Sequence, residues 1–333
     1  MPPEIKEKIA SAADYDSKLS LRQVSKAFKT AVDNSDFHFY RLELCWDYEK
    51  KNIVITLSIS FSQRKELKFQ GSRTGLGFTV TNETEKWKKS VEPNDNSSYI
   101  DGAIAHFRKI LKHRNLAKIH LKTLRLVLSD YVKDECFVKQ WAQLKSQLKP
   151  DPSIKTKLSV QILELYFDDD PDSYIDVIRS VKPGILNEIY ISHEDIQTSW
   201  NPYRQLFDLT EIGKTEQWKQ ANRFTVLKCE IGPDNMDTSH FSVFDESLLK
   251  FELNDVRELI EQFFLHPNWQ QRTIRCCDYD IEIFSNYFSQ LQFEQLPVNS
   301  NHLNFNKEVI IRRGKDACRV SLYERMIVVS RIC

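Results

Sequence analysis

Leu121-Lys122-Thr123-Leu124-Arg125-Leu126 and Val160-Gln161-Ile162-Leu163-Glu164-Leu165 share one pattern: a large apolar residue, two fillers, an apolar residue, one filler, an apolar residue. Four more copies follow, at Leu186/Ile189/Ile191, Phe224/Leu227/Cys229, Leu248/Phe251/Leu253 and Gln271/Ile274/Cys276, the last with a polar residue in first place. Their starts lie 39, 26, 38, 24 and 23 residues apart. A strand-sized unit recurring at this period is the signature of a stacked α/β array, in which neighbouring units bury a continuous core. Such arrays present broad binding surfaces.

Between the copies the spacing of apolar residues is helical. It predicts helices over 99–112, 136–148, 174–181, 215–222 and 256–265, the last capped by Asn254 and stopped at His266-Pro267. Strand alternating with helix favours parallel neighbours joined by right-handed crossovers. Leucine-rich repeats run roughly 20 to 29 residues, so three intervals fit and two carry insertions. The asparagine usual after the strand is replaced by Ser129 and Asp168 in the first two copies.

Outside the array, residues 38–98 read as an antiparallel β-meander, with alternation over Tyr40–Trp46 and Ile53–Ile59. The glycine-rich stretch Gly71–Gly77 lacks a Lys-Ser/Thr ending and a following helix, which makes it a hairpin connection and no phosphate loop. Residues 1–37 read as two short helices. Ile5, Ile9 and Ala12/Ala13 share a face of the first, and Leu21, Val24, Phe28 and Val32 form the stripe of the second, capped by Asp16 or Ser17. The tail carries three β runs, Val309–Ile311, Val320–Tyr323 and Met326–Val329, which would cap the open end of the array.

Composition narrows the function. Lys+Arg and Asp+Glu are equal at 47 each, which argues against a general nucleic-acid binder. Seven cysteines without C-x-x-C spacing suggest neither zinc nor a disulfide framework, and point to a reducing compartment, cytoplasmic or nuclear. No apolar run has the roughly 18 residues of a membrane span, and the first residues lack the pattern of a secretory signal. The sequence therefore predicts an intracellular protein that is not secreted and has no membrane partner.

No nucleophile elbow, HExxH helix or Walker-type loop occurs, and neither an enzyme nor a cofactor is expected. Asp168-Asp169-Asp170-Pro171-Asp172 reads as a strand-to-helix loop with Pro171 in the first helical turn, rather than as a cation site. His106 and His113 are seven apart, too far for a helical metal pair, with His120 beyond. Cys276 and Cys277 point to opposite faces of a strand. Arg108, Lys109, Lys112, Arg114, Lys118, Lys122 and Arg125 form a run without an acid, able to grip phosphates or an acidic peptide, or to form a solvated helix face.

Pro2-Pro3-Glu4-Ile5 through Lys8-Ile9, followed by Leu19-Ser20-Leu21-Arg22-Gln23-Val24-Ser25-Lys26-Ala27-Phe28, resembles an F-box. Val181–Leu186, Thr215–Ala221 and Asn254–Trp269 resemble the Lys-Pro-Gly turn, the Glu-Gln-Trp-Lys-x-Ala helix and the late Pro-Asn-aromatic step of the FTH domain of nematode F-box proteins. The resemblance implies a fold of class α/β: a short N-terminal helical F-box (1–37), a β-meander (38–98), and an irregular leucine-rich-repeat-like array with a C-terminal β cap (99–333). It also implies a substrate-recognition subunit of a Skp–cullin–F-box ubiquitin ligase, without catalytic residues. The Skp-type adaptor would meet Pro2, Pro3, Ile5, Ile9, Leu19, Leu21, Val24 and Phe28, and the repeat domain would hold a target protein. Ala10 and Ala13 stand where that family has leucines, and Tyr15 where it has proline. The alternative implied by these departures is an adaptor-independent interaction scaffold with a degenerate F-box.

Overall fold

The structure, a computed structural model, describes residues 1–13, 15–47, 51–59, 64–71, 78–82, 84, 86–91, 99–111, 119–129, 158–167, 171–193, 206–207, 210–227, 230–231, 238–250, 252–278, 283–284, 286–287, 294–295, 305–323 and 326–332. The chain is mixed α/β, with large sheets and few helices, and divides into two compact units, Met1–Leu186 and Asn187–Cys333.

The first unit opens with α1 (Pro3–Ala12), α2 (Tyr15–Val24) and α3 (Lys26–Asp33), followed by β1 (Phe37–Asp47), β2 (Asn52–Ser58), β3 (Arg64–Gly71), β4 (Phe78–Asn82) and β5 (Trp87–Val91). Then come α4 (Tyr99–Leu111), β6 (Ile119–Ser129), β7 (Ser159–Phe167) and α5 (Pro171–Ser180). The strand order is β7-β6-β1-β2-β3-β4-β5. The pairs β7-β6 and β6-β1 are parallel, and β1 to β5 run as an antiparallel meander.

Register shows what the repeat does. Leu121, Leu124 and Leu126 lie opposite Val160, Leu163 and Leu165, position for position, and all six are buried. On the other side of β6 they lie opposite Phe39, Leu42 and Leu44 of β1, also buried. Strand β1 therefore carries a further copy, Phe39/Leu42/Leu44, within the expected meander. Its Tyr40-Arg41-Leu42-Glu43-Leu44 stretch alternates equally well as a meander strand.

The second unit contains β8 (Glu188–His193), β9 (Leu206–Phe207), α6 (Thr210–Gly213), α7 (Glu216–Gln220), β10 (Arg223–Leu227), β11 (Glu230–Ile231) and β12 (Val243–Lys250). After these come α8 (Leu253–Leu265), β13 (Gln271–Asp278), β14 (Glu294–Gln295), β15 (Phe305–Arg313), β16 (Asp316–Tyr323) and β17 (Met326–Arg331). The main sheet runs β8-β10-β12-β13-β17-β16-β15-β14, parallel up to β13 and antiparallel beyond it, while β9 and β11 form a separate parallel pair. The tail strands thus extend the parallel sheet past β13.

Here the register corrects the reading of the repeat. Ile189 and Ile191 lie opposite Phe224 and Val226. The copy in β10 is therefore Ala221/Phe224/Val226, three residues before Phe224/Leu227/Cys229. Strand β12 covers 243–250, not 248–253, and Leu253 opens α8. Phe244 lies opposite both Phe224 and Arg272, and Glu246 lies opposite Ile274. The last two copies are Phe241/Phe244/Glu246 and Trp269/Arg272/Ile274. Two charged residues, Glu246 and Arg272, occupy apolar places, so the apolar pattern of the sequence is out of register with the sheet there.

Arg272 is held by rings and carbonyls, although its buried Nε has no hydrogen-bond partner among the described residues. It is 3% exposed, with its guanidinium 3.6 Å from the Trp269 ring centroid and 4.9 Å from that of Phe244. It donates to the carbonyls of Thr238 (2.9 Å) and Phe241 (3.4 Å). Burial pulls its pKa down to about 9, against the pull of Glu246. Burial pushes the Glu246 carboxyl up to about 7, partly offset by Arg272. Cation–π stacking and carbonyl acceptors are what a buried guanidinium needs to offset its lost hydration.

Local signals explain the remaining elements. The Thr215 hydroxyl accepts from Trp218 N at 3.2 Å and caps α7. That cap places the buried Trp218 edge-on to Phe224 (4.5 Å) and Phe241 (4.7 Å). Helix α8 begins earlier than expected: its N-cap is Glu252, whose N–H donates to the Asp255 carboxylate at 2.7 Å, and Asn254 lies exposed in the first turn. Its C-terminal end is held by Arg331, which donates to the carbonyls of Phe263 (3.0 Å), His266 (3.1 Å) and Trp269 (2.9 Å). Gly184 turns the chain towards β8 with φ +80°, the left-handed value a Pro-Gly turn requires. The expected helix over 136–148 lies outside the described residues.

Candidate partner-docking surfaces

Residues 1–36 form three helices, not two. Ser25 interrupts the second expected helix because its hydroxyl accepts from Phe28 N at 3.2 Å, capping a new helix, α3. The expected stripe is therefore divided: Val32 is fully buried while Val24, the last residue of α2, is 67% exposed. Helices α1 and α2 both pack on α3, and Arg22 of α2 holds Asp33 of α3 at 2.7 Å.

The interior of this bundle is closed by small residues and Val32. Ala10 is fully buried and Ala31 nearly so. The place at Ala10, where a docking leucine was expected to be missing, faces inward, so it is a packing position rather than a surface one. Ile5 (47%), Ile9 (37%) and Met1 (67%) remain exposed, along with Pro2 and Pro3. Ile5 and Ile9 are four residues apart and so share a helix face. Leu21 and Phe28 are half-buried, and Leu19 lies within α2. The bundle thus leaves Met1, Ile5, Ile9 and Val24 in water.

Lys18 joins the bundle to the first strand. It is 5% exposed, donates to the carbonyl of Asp36 at 2.6 Å, and stands 5.0 Å over the Phe37 ring. Burial lowers its pKa, opposed by the nearby Asp36 carboxylate. Lys18 is thus internal although it lies on a short, largely polar helix.

A second surface is the polar face of β1, β6 and β7. Glu43, Arg125 and Glu164 lie in one cross-strand row, with Arg41 reaching Glu164 at 2.5 Å. Arg125 lies 4.6 Å over the Tyr166 ring and Lys122 5.0 Å over the Tyr40 ring. His38 and His120, also paired, stack at 4.8 Å. Arg108 and Lys109 of the basic run fall on α4, whereas Lys112, Arg114 and Lys118 lie outside the described residues. Lys122 and Arg125, which end the run, sit on β6, so the run spans a helix and a strand rather than one helix face.

Among the described residues, no three of His, Cys, Asp and Glu come together to hold a metal ion. Asp168–Asp170 and His113 lie outside them, while Pro171 opens α5. Cys276 and Cys318 are buried, and burial pushes the Cys318 thiol up to about 12, far from a reactive thiolate. No helix among the described residues is long and apolar enough to cross a membrane.

These features define a mixed α/β protein with exposed apolar and charged surfaces. Residues 143–291 match the FTH domain. That span includes all three segments whose resemblance pointed to it. The FTH domain is associated with F-box proteins, which suggests a protein-interaction role. No curated protein and no solved structure matches the chain.

Proposed function

We propose that this chain is the substrate-recognition subunit of a Skp–cullin–F-box ubiquitin ligase, with α1–α3 docking a Skp-type adaptor and the sheet units holding a target protein. It has no catalysis of its own in this reading, since ubiquitin transfer belongs to other subunits. One observation carries the proposal: Ile5, Ile9 and Val24 stay exposed on a bundle whose interior Ala10, Ala31 and Val32 already fill. Exposed apolar side chains grouped on short helices are what a partner helix covers. The FTH domain at 143–291 adds support.

The test is the affinity of a purified Skp adaptor for the full chain and for the double variant Ile9→Asp/Val24→Asp. Both side chains are exposed, so the variant folds. Loss of binding by at least roughly a hundredfold, about 2.7 kcal/mol, is expected. Equal binding of the two proteins would remove the adaptor reading and leave an adaptor-independent interaction scaffold.

A further inference from the structure

Phe69 of β3 meets His106 of α4 at 5.8 Å, so the neighbouring Lys68 and Gln70 point to the opposite, open face of the sheet. Lys68, Thr81 and Lys88 stand side by side across β3, β4 and β5, and Gln70, Thr79 and Ser90 form the next row. Lys86, Lys88 and Lys89 are exposed. The only carboxylate on these three strands is Glu66, and Arg64 holds it at 2.5 Å. Glu83 and Glu85, in the β4–β5 connection, lie outside the described residues.

Strand β5 pairs only with β4 among the described residues, which makes it the edge of this sheet. An edge strand offers unpaired N–H and C=O groups to any extended chain that comes alongside. Its lysines work against a second copy of itself, because pairing β5 with β5 would set like charges opposite one another. They favour a strand of opposite charge. By contrast, the β1-β6-β7 part of the same face has its charges paired, as Arg41 and Arg125 with Glu43 and Glu164.

We infer that the β5 edge is a docking site for an acidic extended segment of a partner protein, which adds to the sheet as a further strand with a carboxylate beside Lys88. Main-chain pairing supplies the affinity, and Lys88, with the exposed Lys86 and Lys89 on either side of it, selects acidic side chains. The inference rests on the chain being an interaction module and does not depend on adaptor docking by α1–α3.

The experiment uses the full chain and a fluorescein-labelled peptide alternating glutamate with valine, read by fluorescence anisotropy. Three comparison probes are the glutamine counterpart, the same acidic peptide N-methylated at alternate backbone amides, and a single-stranded oligonucleotide. The acidic peptide is expected to bind with an affinity that falls as salt rises. Lys86→Glu/Lys88→Glu is expected to weaken it at least roughly tenfold while leaving adaptor affinity unchanged. The glutamine and N-methylated peptides should bind at least as weakly as that variant. Undiminished binding of the N-methylated peptide, no effect of the lysine reversal, or tighter binding of the oligonucleotide through the same lysines would each overturn the inference. A loss of adaptor binding on Ile9→Asp/Val24→Asp reports on the other surface alone.

Discussion

The same strand place is Leu42, Leu124 and Leu163 in the first unit, whereas in the second it passes from Ile189 to Phe224, Phe244 and Arg272. In the first unit, branched aliphatic side chains of similar size stack from strand to strand. In the second, rings do, and the stack contains a guanidinium with a carboxylate one place on, at Glu246. Both solutions exclude water, but they differ in kind. An aliphatic layer is stabilised by area alone and tolerates any well-shaped neighbour. The aromatic layer with its two charged residues is stabilised by specific partners, each of which becomes costly once another is lost.

Removing the guanidinium is the strongest way to break the comparison. Arg272→Ala leaves a void between Trp269 and Phe244, leaves the Thr238 and Phe241 carbonyls short of a donor, and leaves Glu246 without its cation. It should destabilise the second unit by roughly 3–5 kcal/mol in urea unfolding followed by hydrogen exchange of β12 and β13. The double variant Arg272→Leu/Glu246→Leu gives the second unit the first unit's chemistry and should recover most of that loss, since a buried pair replaced whole is often neutral. In the first unit, Leu124→Ala should cost about 3 kcal/mol with no dependence on pH.

Dependence on pH sharpens the contrast. The folded Glu246 carboxyl titrates near 7, above its ordinary value of 4.5. The folded state therefore holds a proton that the unfolded state has released, and this contribution to stability is present below pH 4.5 and lost as pH rises towards 7. The loss is on the order of 2–3 kcal/mol. Unfolding free energies measured by urea titration at pH 5 and pH 8 should show it in the second unit, and Glu246→Gln should flatten the profile.

Smaller effects follow. A Cβ on Gly71 would come within 2.8 Å of the Tyr99 ring, whose hydroxyl accepts from the Trp46 indole at 3.3 Å. Gly71→Ala should lower the first unit's unfolding midpoint, at a cost of about 1–2 kcal/mol. Arg313 meets Glu261 through two contacts of 2.6 and 2.8 Å, but both side chains are in water. Arg313→Ala should leave the thermal midpoint unchanged.

How far the sequence could be read follows the same division. Where the layer is aliphatic, as at Leu121–Leu126 and Val160–Leu165, the pattern in the sequence and the register in the sheet coincide. Where it is aromatic and charged, they separate by three residues in β10, seven in β12 and two in β13, the last two because no apolar pattern includes a glutamate or an arginine. Cap chemistry was partly legible: Pro267 marks the end of α8, but Glu252 rather than Asn254 begins it. On the docking surface, the apolar residues of the first helix were visible in the sequence. Which of them face water was not, since Ile9 and Ala10 are adjacent and only the packing of α1 on α3 decides which is inside. The lysine row of β3 and β5 could not be read either, because it is assembled across strands 20 residues apart at Lys68 and Lys88.

The grip of Arg331 on α8 sets an order of events during synthesis. The carbonyls it serves belong to Phe263, His266 and Trp269, made 62 to 68 residues earlier. At ordinary translation rates, roughly 3 to 14 seconds pass between their emergence and that of Arg331. For that time the C-terminal turn of α8 has no lid and β13 has no antiparallel neighbour. The nascent chain passes through this interval on every ribosome, and any message cut short before codon 331 leaves it there.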